Sequence, residues 1–413
     1  MKEEYLMLSV EEALERVLSA FQPLPSERIP VLETLGRVIT EDVFADMDVP
    51  PLANSAMDGY AVRAADTAEA SRENPVRLRI IDSLTAGRTT QTSVTAGCSI
   101  RIMTGVPIPS GADAVVQFEN TDQGSDWVKI FKGVETGTNV REAGEDVKKG
   151  GVILSRGTEI RPQEVGMLAA LGRKDAWVHR RPRVAILATG DELIEIDAPW
   201  SPGKIRNSNS YSITAQVIRY GALPLMLGIA PDNEGELTAK IREGLEKGAD
   251  LFLTSGGVSM GDFDMVKKVL ATEGKMGFWR VRMKPGKPLA FGQIEGVPLL
   301  GLPGNPVSAM VTFELFARPA ILKMQGKTRL EKPIIEATLG DAIPRKDDRR
   351  HYVRVIVERQ NSEYKARLTG DQGSGILLSM VRSQGLAIIP EDVRHLPAGT
   401  KVPVMMLDWP EDK

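Results

Sequence analysis

The spacing of apolar residues changes character along the chain, and each change marks a stretch of different structure. Near the start, Val10, Ala13, Leu14, Val17, Leu18 and Phe21 recur at helical spacing. Ser9 and Glu12 stand before them in a capping-box pattern, so a helix is predicted to open there. Pro23, Pro25 and Pro30 then interrupt the chain, and a second helical stretch is predicted over 32–38. From about residue 48 to 147 the pattern shortens to strand-length runs, among them VRLRIIDSL, CSIRIMTG, ADAVVQF and DWVKIF, separated by Gly, Pro and Asp. This predicts a separate all-β domain. Residues 150–180 return to mixed character, with a helical run at EVGMLAALG.

The stretch from 181 to 327 alternates. RVAILATG, LPLMLGIAP and ADLFLTSGG read as buried strands, and residues 209–220, EGELTAKIREGLEKG and FDMVKKVLA as helices, with Gly221 and Gly248 as stops. PLLGLPGNP then leads into a long helix ending near Met324. Such alternation predicts a parallel α/β sheet, whose ligands bind outside the carboxyl ends of the strands. After Gly326 the runs HYVRVIVER, YKARLTG, GLAIIPE and KVPVMMLDW predict a small C-terminal β domain. The expected architecture is therefore multidomain α/β plus β. It comprises an N-terminal linking domain (1–47 with 148–180), an inserted all-β domain (48–147), a parallel α/β domain (181–327) and a C-terminal β domain (328–413).

Composition narrows the function classes. The 413 residues carry a net charge of −3, which does not favour nucleic acid as the main partner. No apolar run is long enough to span a bilayer, and the first nine residues lack a signal-type apolar core, so a cytoplasmic protein is expected. The single cysteine, Cys98, agrees with a reducing compartment and reads as a small side chain buried in a strand. His179, His351 and His395 show no metal-ligand spacing, which argues against a zinc site.

The candidate chemistry sits on loops. TGDELI (189–194) and TSGGVSMGDFD (254–264) each follow a strand, and GLPGNPVSA (301–309) precedes a helix. Gly256 and Gly257 let backbone approach a ligand, Ser255 and Ser259 add hydroxyls, and the helix start near Pro306 offers N–H groups to an anion. Together the loops suggest a phosphate-bearing ligand, although tight turns alone produce such loops. Asp191, Glu192, Asp232, Asp262 and Asp264 are either hard oxygen ligands suited to Mg²⁺ or caps and solubilising loop residues. RVRMKPGKP, with Arg280, Arg282, Lys284 and Lys287, is a basic turn fit for an oxyanion, or ordinary surface charge. PPLANSAMDGYAV and RIMTGVPIPSGADAV, with Asp58 and Thr104, read only as turns.

SAMDGYA, RIMTGVPIPSGADAV, REAGEDVKKG, TGDEL, GGVSMGDFD, MKPGKP and GLPGNPVSA occur here in an order that resembles the molybdopterin molybdenumtransferase family, which includes bacterial MoeA and the E domain of gephyrin. The resemblance spans nearly the whole chain and is weakest after residue 327. It implies molybdenum insertion: adenylylated molybdopterin and molybdate are substrates, AMP leaves, and molybdenum cofactor forms. Mg²⁺ is the implied cofactor, with Asp264, Glu192 and Asp232 as its ligands. Asp264, Glu192, Asp58 and Lys284 are the implied catalytic residues. Thr104, Asp146, Asp232, Arg280, Lys287, Pro303, Gly304, Asn305, Pro306, Arg349, Arg354 and Ser374 join Ser255, Gly256, Gly257 and Ser259 as the substrate-binding set. The resemblance also implies an elongated homodimer with shared sites, in which Asp58 and Asp264 of one site come from different chains. A molybdopterin adenylyltransferase and apo-molybdoenzymes are candidate partners. Two departures stand out: Arg280 replaces the lysine of some members, and GILLSMVRS lacks their histidine. An adenylyltransferase and a non-catalytic cofactor carrier are the rival readings, and molybdenum is not distinguished from tungsten.

Overall fold

The computed structural model describes residues 6–231, 233–256, 274–344 and 347–409. The chain forms two compact units: Met1–Glu27, Gly36–Val38 and His179–Lys413 in one, Arg28–Leu35 and Ile39–Val178 in the other.

The first unit is built on a seven-stranded sheet. Arg183–Thr189 lies between Leu223–Ala230 and Leu251–Ser255, and Val297–Leu302 flanks the latter, all parallel. Both faces of these central strands are covered, which is why they read as unbroken apolar runs. The helices Ser208–Arg219 and Glu234–Glu246 end as predicted, at Gly221 and Gly248, where φ is +79° and +72°. The sheet is not wholly parallel. Gly274–Val281, Pro288–Ile294 and Val297–Leu302 pair antiparallel, so the basic turn joins two strands that strand–helix alternation did not reveal. FDMVKKVLA lies outside the described residues. The first helix, Val10–Ser19, has its capping box: the Glu12 N–H donates to Ser9 Oγ at 3.1 Å and the Ser9 N–H to Glu12 Oε2 at 2.8 Å. It buries Val10, Ala13 and Val17 in the core of this same unit.

The long helix predicted after GLPGNP is continuous to Met324 but changes pitch: Pro306–Thr312 is α-helical, Phe313–Ala317 a π turn, and Arg318–Met324 α-helical again. Pro319 explains the change, since it lacks the N–H that would bond the Leu315 carbonyl and its ring crowds that position. The π turn presents Glu314, 6% exposed, to a buried polar network. Tyr220 Oη donates to both Glu314 oxygens (2.8 and 3.0 Å), Gln216 Nε2 to Oε1 (2.9 Å), and Lys332 Nζ lies 3.3 Å from Oε2. Burial pushes the Lys332 amine below its usual value. Arg318 reaches the carbonyls of Leu330 (2.7 Å) and Glu331 (3.4 Å). The connector into the C-terminal β structure is thereby fastened to the α/β core.

That C-terminal structure is a closed barrel. Arg350–Gln360, Glu363–Leu368, Ile334–Leu339, Lys401–Met406 and Gly385–Ile389 pair in succession, and the last pairs back with the first. Closure removes the exposed edges of so short a sheet. Met283–Lys284 adds to it in parallel, with Lys284 opposite His351.

The second unit holds a five-stranded sheet, in order Ala114–Gln117, Gly59–Val62, Cys98–Ile102, Val76–Leu84 and Trp127–Ile130, with a hydrophobic cluster on each face. The helix Pro162–Ala170 forms in EVGMLAALG. Cys98 is on its predicted strand but half-buried rather than fully buried. The helix predicted over 32–38 does not form. Only a 3₁₀ turn, Val31–Thr34, precedes Gly36 at φ +74°; Leu32 and Leu35 stay exposed while Val38, past the glycine, is buried, so the apolar residues do not form one helical face.

Candidate active site

In the first unit, a cleft of about 700 Å³ opens between the loops of the α/β sheet and the C-terminal barrel. Lys284 and Lys287 from the basic turn, Pro303, Gly304 and Asn305 from GLPGNP, and Arg349, Arg354 and Ser374 from the barrel all line it. Eight of the predicted site residues are thus brought together from the basic turn, the GLPGNP loop and the barrel. The parallel pairing of Met283–Lys284 on Arg350–Gln360 accounts for the meeting of the first and last.

Arg354 is 2% exposed. Its Nε donates to Ser379 Oγ at 3.1 Å and its Nη2 to the Gly373 carbonyl at 3.1 Å, and among the described residues no carboxylate pairs with it. Burial pushes its guanidinium down to about 10, still cationic at neutral pH. A buried cation with only neutral acceptors is costly unless an anion completes its shell. Arg349 donates from Nη2 to Asp347 Oδ2 at 2.8 Å, and His351 Nε2 lies 2.8 Å from Oδ1. Lys284 Nζ is 3.7 Å from Oδ2 of the same carboxylate. Arg349 and His351 hold the Asp347 carboxyl well below the usual range.

One expectation about the sheet loops changes. The N–H of Val307, at the start of the Pro306 helix, is not free: it donates to the Ser374 carbonyl at 3.1 Å. The GLPGNP loop and the strand end at Ser255 are joined by Asn209, a residue not singled out from the sequence. Its Nδ2 donates to Ser255 Oγ and to the Gly304 carbonyl, both at 2.7 Å. The only trace in the sequence was its place in RNSNS, at the start of a helix that follows a predicted binding loop. Gly256, at φ +91°, needs to be glycine: a Cβ there would stand 2.4 Å from the Thr189 carbonyl oxygen. A Cβ on Gly304 would meet the Gly256 Cα at 3.7 Å, so the two loops are in contact.

Glu192 lies in the loop after Arg183–Thr189 and folds back over Gly190, where a Cβ would come within 2.4 Å of its Oε2. Beside this loop, Thr189 Oγ1 is buried without a hydrogen-bond partner. Arg280 sits on Gly274–Val281, opposite Pro288, and does not line the cleft. Gly257, Ser259, Asp262, Asp264 and Asp232 lie outside the described residues. Among the described residues no three His, Cys, Asp or Glu side chains converge as a metal site.

The remaining predicted residues belong to the second unit. Asp58 Oδ1 accepts from the Thr104 N–H at 2.7 Å and from Thr104 Oγ1 at 2.8 Å. Those two bonds hold its carboxyl below the usual value. The loops SAMDGYA and RIMTG are therefore one feature. Asp146 is exposed in a neighbouring loop, its N–H donating to the Val49 carbonyl at 3.0 Å.

Three family models match in sequence along the chain: the MoeA N-terminal region (domain I and II) over 8–172, a probable molybdopterin binding domain over 185–323, and the MoeA C-terminal region (domain IV) over 336–407. They define a MoeA-type protein whose α/β sheet is of the molybdopterin-binding class. The molybdopterin molybdenumtransferase of Bacillus subtilis (strain 168) is 36% identical, over 99% of this chain and 98% of its own. That of Haemophilus influenzae is 34% identical, over 96% and 98%. The crystal structure of the molybdopterin biosynthesis moeA protein from Pyrococcus horikoshii OT3 superposes with a TM-score of 0.81 at 34% identity, covering 97% of this chain and all of that one. This chain belongs to the molybdopterin molybdenumtransferase family, a family of transferases in molybdenum cofactor biosynthesis. None of its described helices is long and apolar enough to cross a membrane.

Proposed function

We propose that this enzyme inserts molybdenum into adenylylated molybdopterin, using molybdate, releasing AMP and forming molybdenum cofactor. The observation that carries the reading is the cleft where Arg354, buried and without a carboxylate within ion-pair distance among the described residues, stands with Lys284 and Arg349. A tetrahedral dianion satisfies such a set of donors, and planar guanidinium groups suit oxyanions. Molybdate is therefore assigned to this cleft, held by Lys284, Arg349, Arg354 and Ser374. The loops at Ser255, Gly256 and Gly304 take the phosphate-bearing part of molybdopterin, where backbone can come close to it.

Mg²⁺ belongs to the same reading. The donors that would hold it are all oxygens, which suits a hard cation: Glu192, beside the unpartnered Thr189 hydroxyl, with Asp232 and Asp264. Bound there, it would screen the charge of the pyrophosphate link. Asp58, Thr104 and Asp146 complete the site in a homodimer. Mixing Asp58→Ala and Asp264→Ala proteins is expected to restore activity, and verified heterodimers without recovery would count against shared sites.

The decisive experiment is AMP release from adenylylated molybdopterin by the purified enzyme, with and without molybdate, beside Asp264→Asn. Molybdate-dependent release, abolished by the substitution and yielding cofactor that activates an apo-molybdoenzyme, is expected. Tight binding with no release under any molybdate and Mg²⁺ condition would refute the reading and leave a carrier.

A further inference from the structure

Beside the cleft, and bonded to side chains that line it, stands a carboxylate that an anion-binding role does not call for. Asp347 receives Arg349 and His351 at 2.8 Å each, with Lys284 Nζ at 3.7 Å, so one acidic group faces three of the cleft's basic side chains. The Arg349 N–H adds a further bond to Oδ1 at 3.2 Å. Asp347 is only a quarter exposed, and both its oxygens are engaged. Arg354, deeper in the same cleft, has no carboxylate within ion-pair distance among the described residues, and the negative charge that acts on it is that of Asp371, which also lines the cleft. Arg349, His351 and Lys284 thus already share the charge of Asp347, whereas the hydrogen bonds of Arg354 go to the neutral Ser379 and Gly373.

We infer that Asp347 is a resident counter-ion that sets the oxyanion affinity of the cleft, competing with the bound anion for Arg349, His351 and Lys284. The inference rests on the assignment of molybdate to this cleft. An arriving oxyanion must share N–H donors with Asp347 and also bear its repulsion at close range. The anion is consequently held loosely enough to be passed on, and its orientation is left to Arg354 and Ser374. Because the repulsion scales with the charge of the ligand, a dianion feels it more than a monoanion does. A residue that merely kept the loop in shape would not distinguish the two.

Equilibrium dialysis of molybdate, sulfate and perchlorate against the full-length protein tests this, using wild type, Asp347→Asn, Asp347→Glu and Lys284→Ala. Asp347→Asn is expected to bind molybdate and sulfate about tenfold more tightly, and perchlorate only about threefold, at moderate salt. Asp347→Glu, which keeps the charge, is expected to bind as wild type does, and Lys284→Ala to bind molybdate more weakly. If Lys284→Ala binds molybdate as wild type does, the cleft is not the oxyanion site and the inference falls with that assignment. If binding depends on Lys284 but Asp347→Asn leaves it unchanged or weakens it, the counter-ion role alone is overturned. Equal gains for dianions and the monoanion would also overturn it.

Discussion

Replacing Lys332 with methionine removes the cation of the buried network while keeping a side chain of similar length. Glu314 is then left 6% exposed with a negative charge and no cation within ion-pair distance among the described residues. Breaking a buried pair from one side costs about 3–5 kcal/mol. Here the cost falls at the lower end, about 3 kcal/mol, because Tyr220 and Gln216 still donate to the carboxylate at 2.8–3.0 Å. For a unit of this size, that corresponds to a thermal midpoint lower by about 6–12 °C. The companion Glu314→Gln/Lys332→Met removes both charges of the pair and leaves Arg318 on the Leu330 and Glu331 carbonyls. It is expected to recover to within about 1 kcal/mol of wild type, a coupling of about 2 kcal/mol. The two units need not unfold together, so one midpoint is not sufficient. Hydrogen exchange should be followed separately at Ile334–Leu339, where the fastened connector enters the barrel, and at Arg183–Thr189 in the sheet. Lys332→Met is expected to speed exchange in the first before the second. If the single variant is as stable as wild type, or the double variant is as unstable as the single, the network is not the fastening described.

Arg354→Met should weaken molybdate binding by at least about tenfold while the thermal midpoint shifts by less than about 4 °C, because a buried cation without a carboxylate adds little to stability; parallel dialysis and thermal scans measure both. Asn209→Ala removes the two 2.7 Å bonds that join the Ser255 and Gly304 loops and should lower the transfer rate by about tenfold, read in the AMP-release assay. Glu164 is held at about 2, chiefly by the Arg161 side chain, against an ordinary 4.5. Its folded value is the lower, so the stability it adds is present above about pH 4.5 and is lost as pH falls toward 2. Glu164→Gln should flatten the thermal midpoint of the second unit across that window, and an unchanged acid slope would refute the assignment.

What the sequence made legible was set by local periodicity. The central strands are buried on both faces and so stand out as apolar runs, and the Ser9–Glu12 box marks the first helix within one residue. What stayed hidden depends on pairing between distant segments. Gly274–Val281 and Pro288–Ile294 flank a turn so rich in Arg, Lys and Pro that the charges masked the antiparallel strands on either side. The π turn at Phe313–Ala317 needed Pro319 to be weighed against an otherwise unbroken helical pattern. The 32–38 stretch shows the reverse error, since apolar residues at workable spacing do not make a helix when Gly36 turns the chain and Leu32 and Leu35 find no core. At the site, Lys284, Arg349 and Arg354 could be singled out one by one. Asn209 and Asp347 could not, because their importance lies in what they touch across the fold.

The cleft's arrangement of charge follows from one backbone ladder rather than from any side chain. Met283 and Lys284 align with Arg350 and His351 in parallel, and the Arg350 N–H donates to the Arg282 carbonyl at 2.9 Å. A parallel register shifted by one residue would turn Lys284 to the other face of the barrel strand and away from Arg349. The spacing of the basic groups is therefore fixed by main-chain bonds, before any ligand arrives and without the entropy of ordering long side chains around it. The basic turn is also constrained locally. Pro285 and Pro288 limit its backbone, and Gly286 at φ +102° packs where a Cβ would strike Thr312 Oγ1 at 2.6 Å. Gly286→Ala should on this argument displace Lys284 relative to Arg349 while leaving every charge in place. Oxyanion affinity should then fall although no ligand-binding side chain has been altered, which a cleft assembled from independent flexible charges would not do.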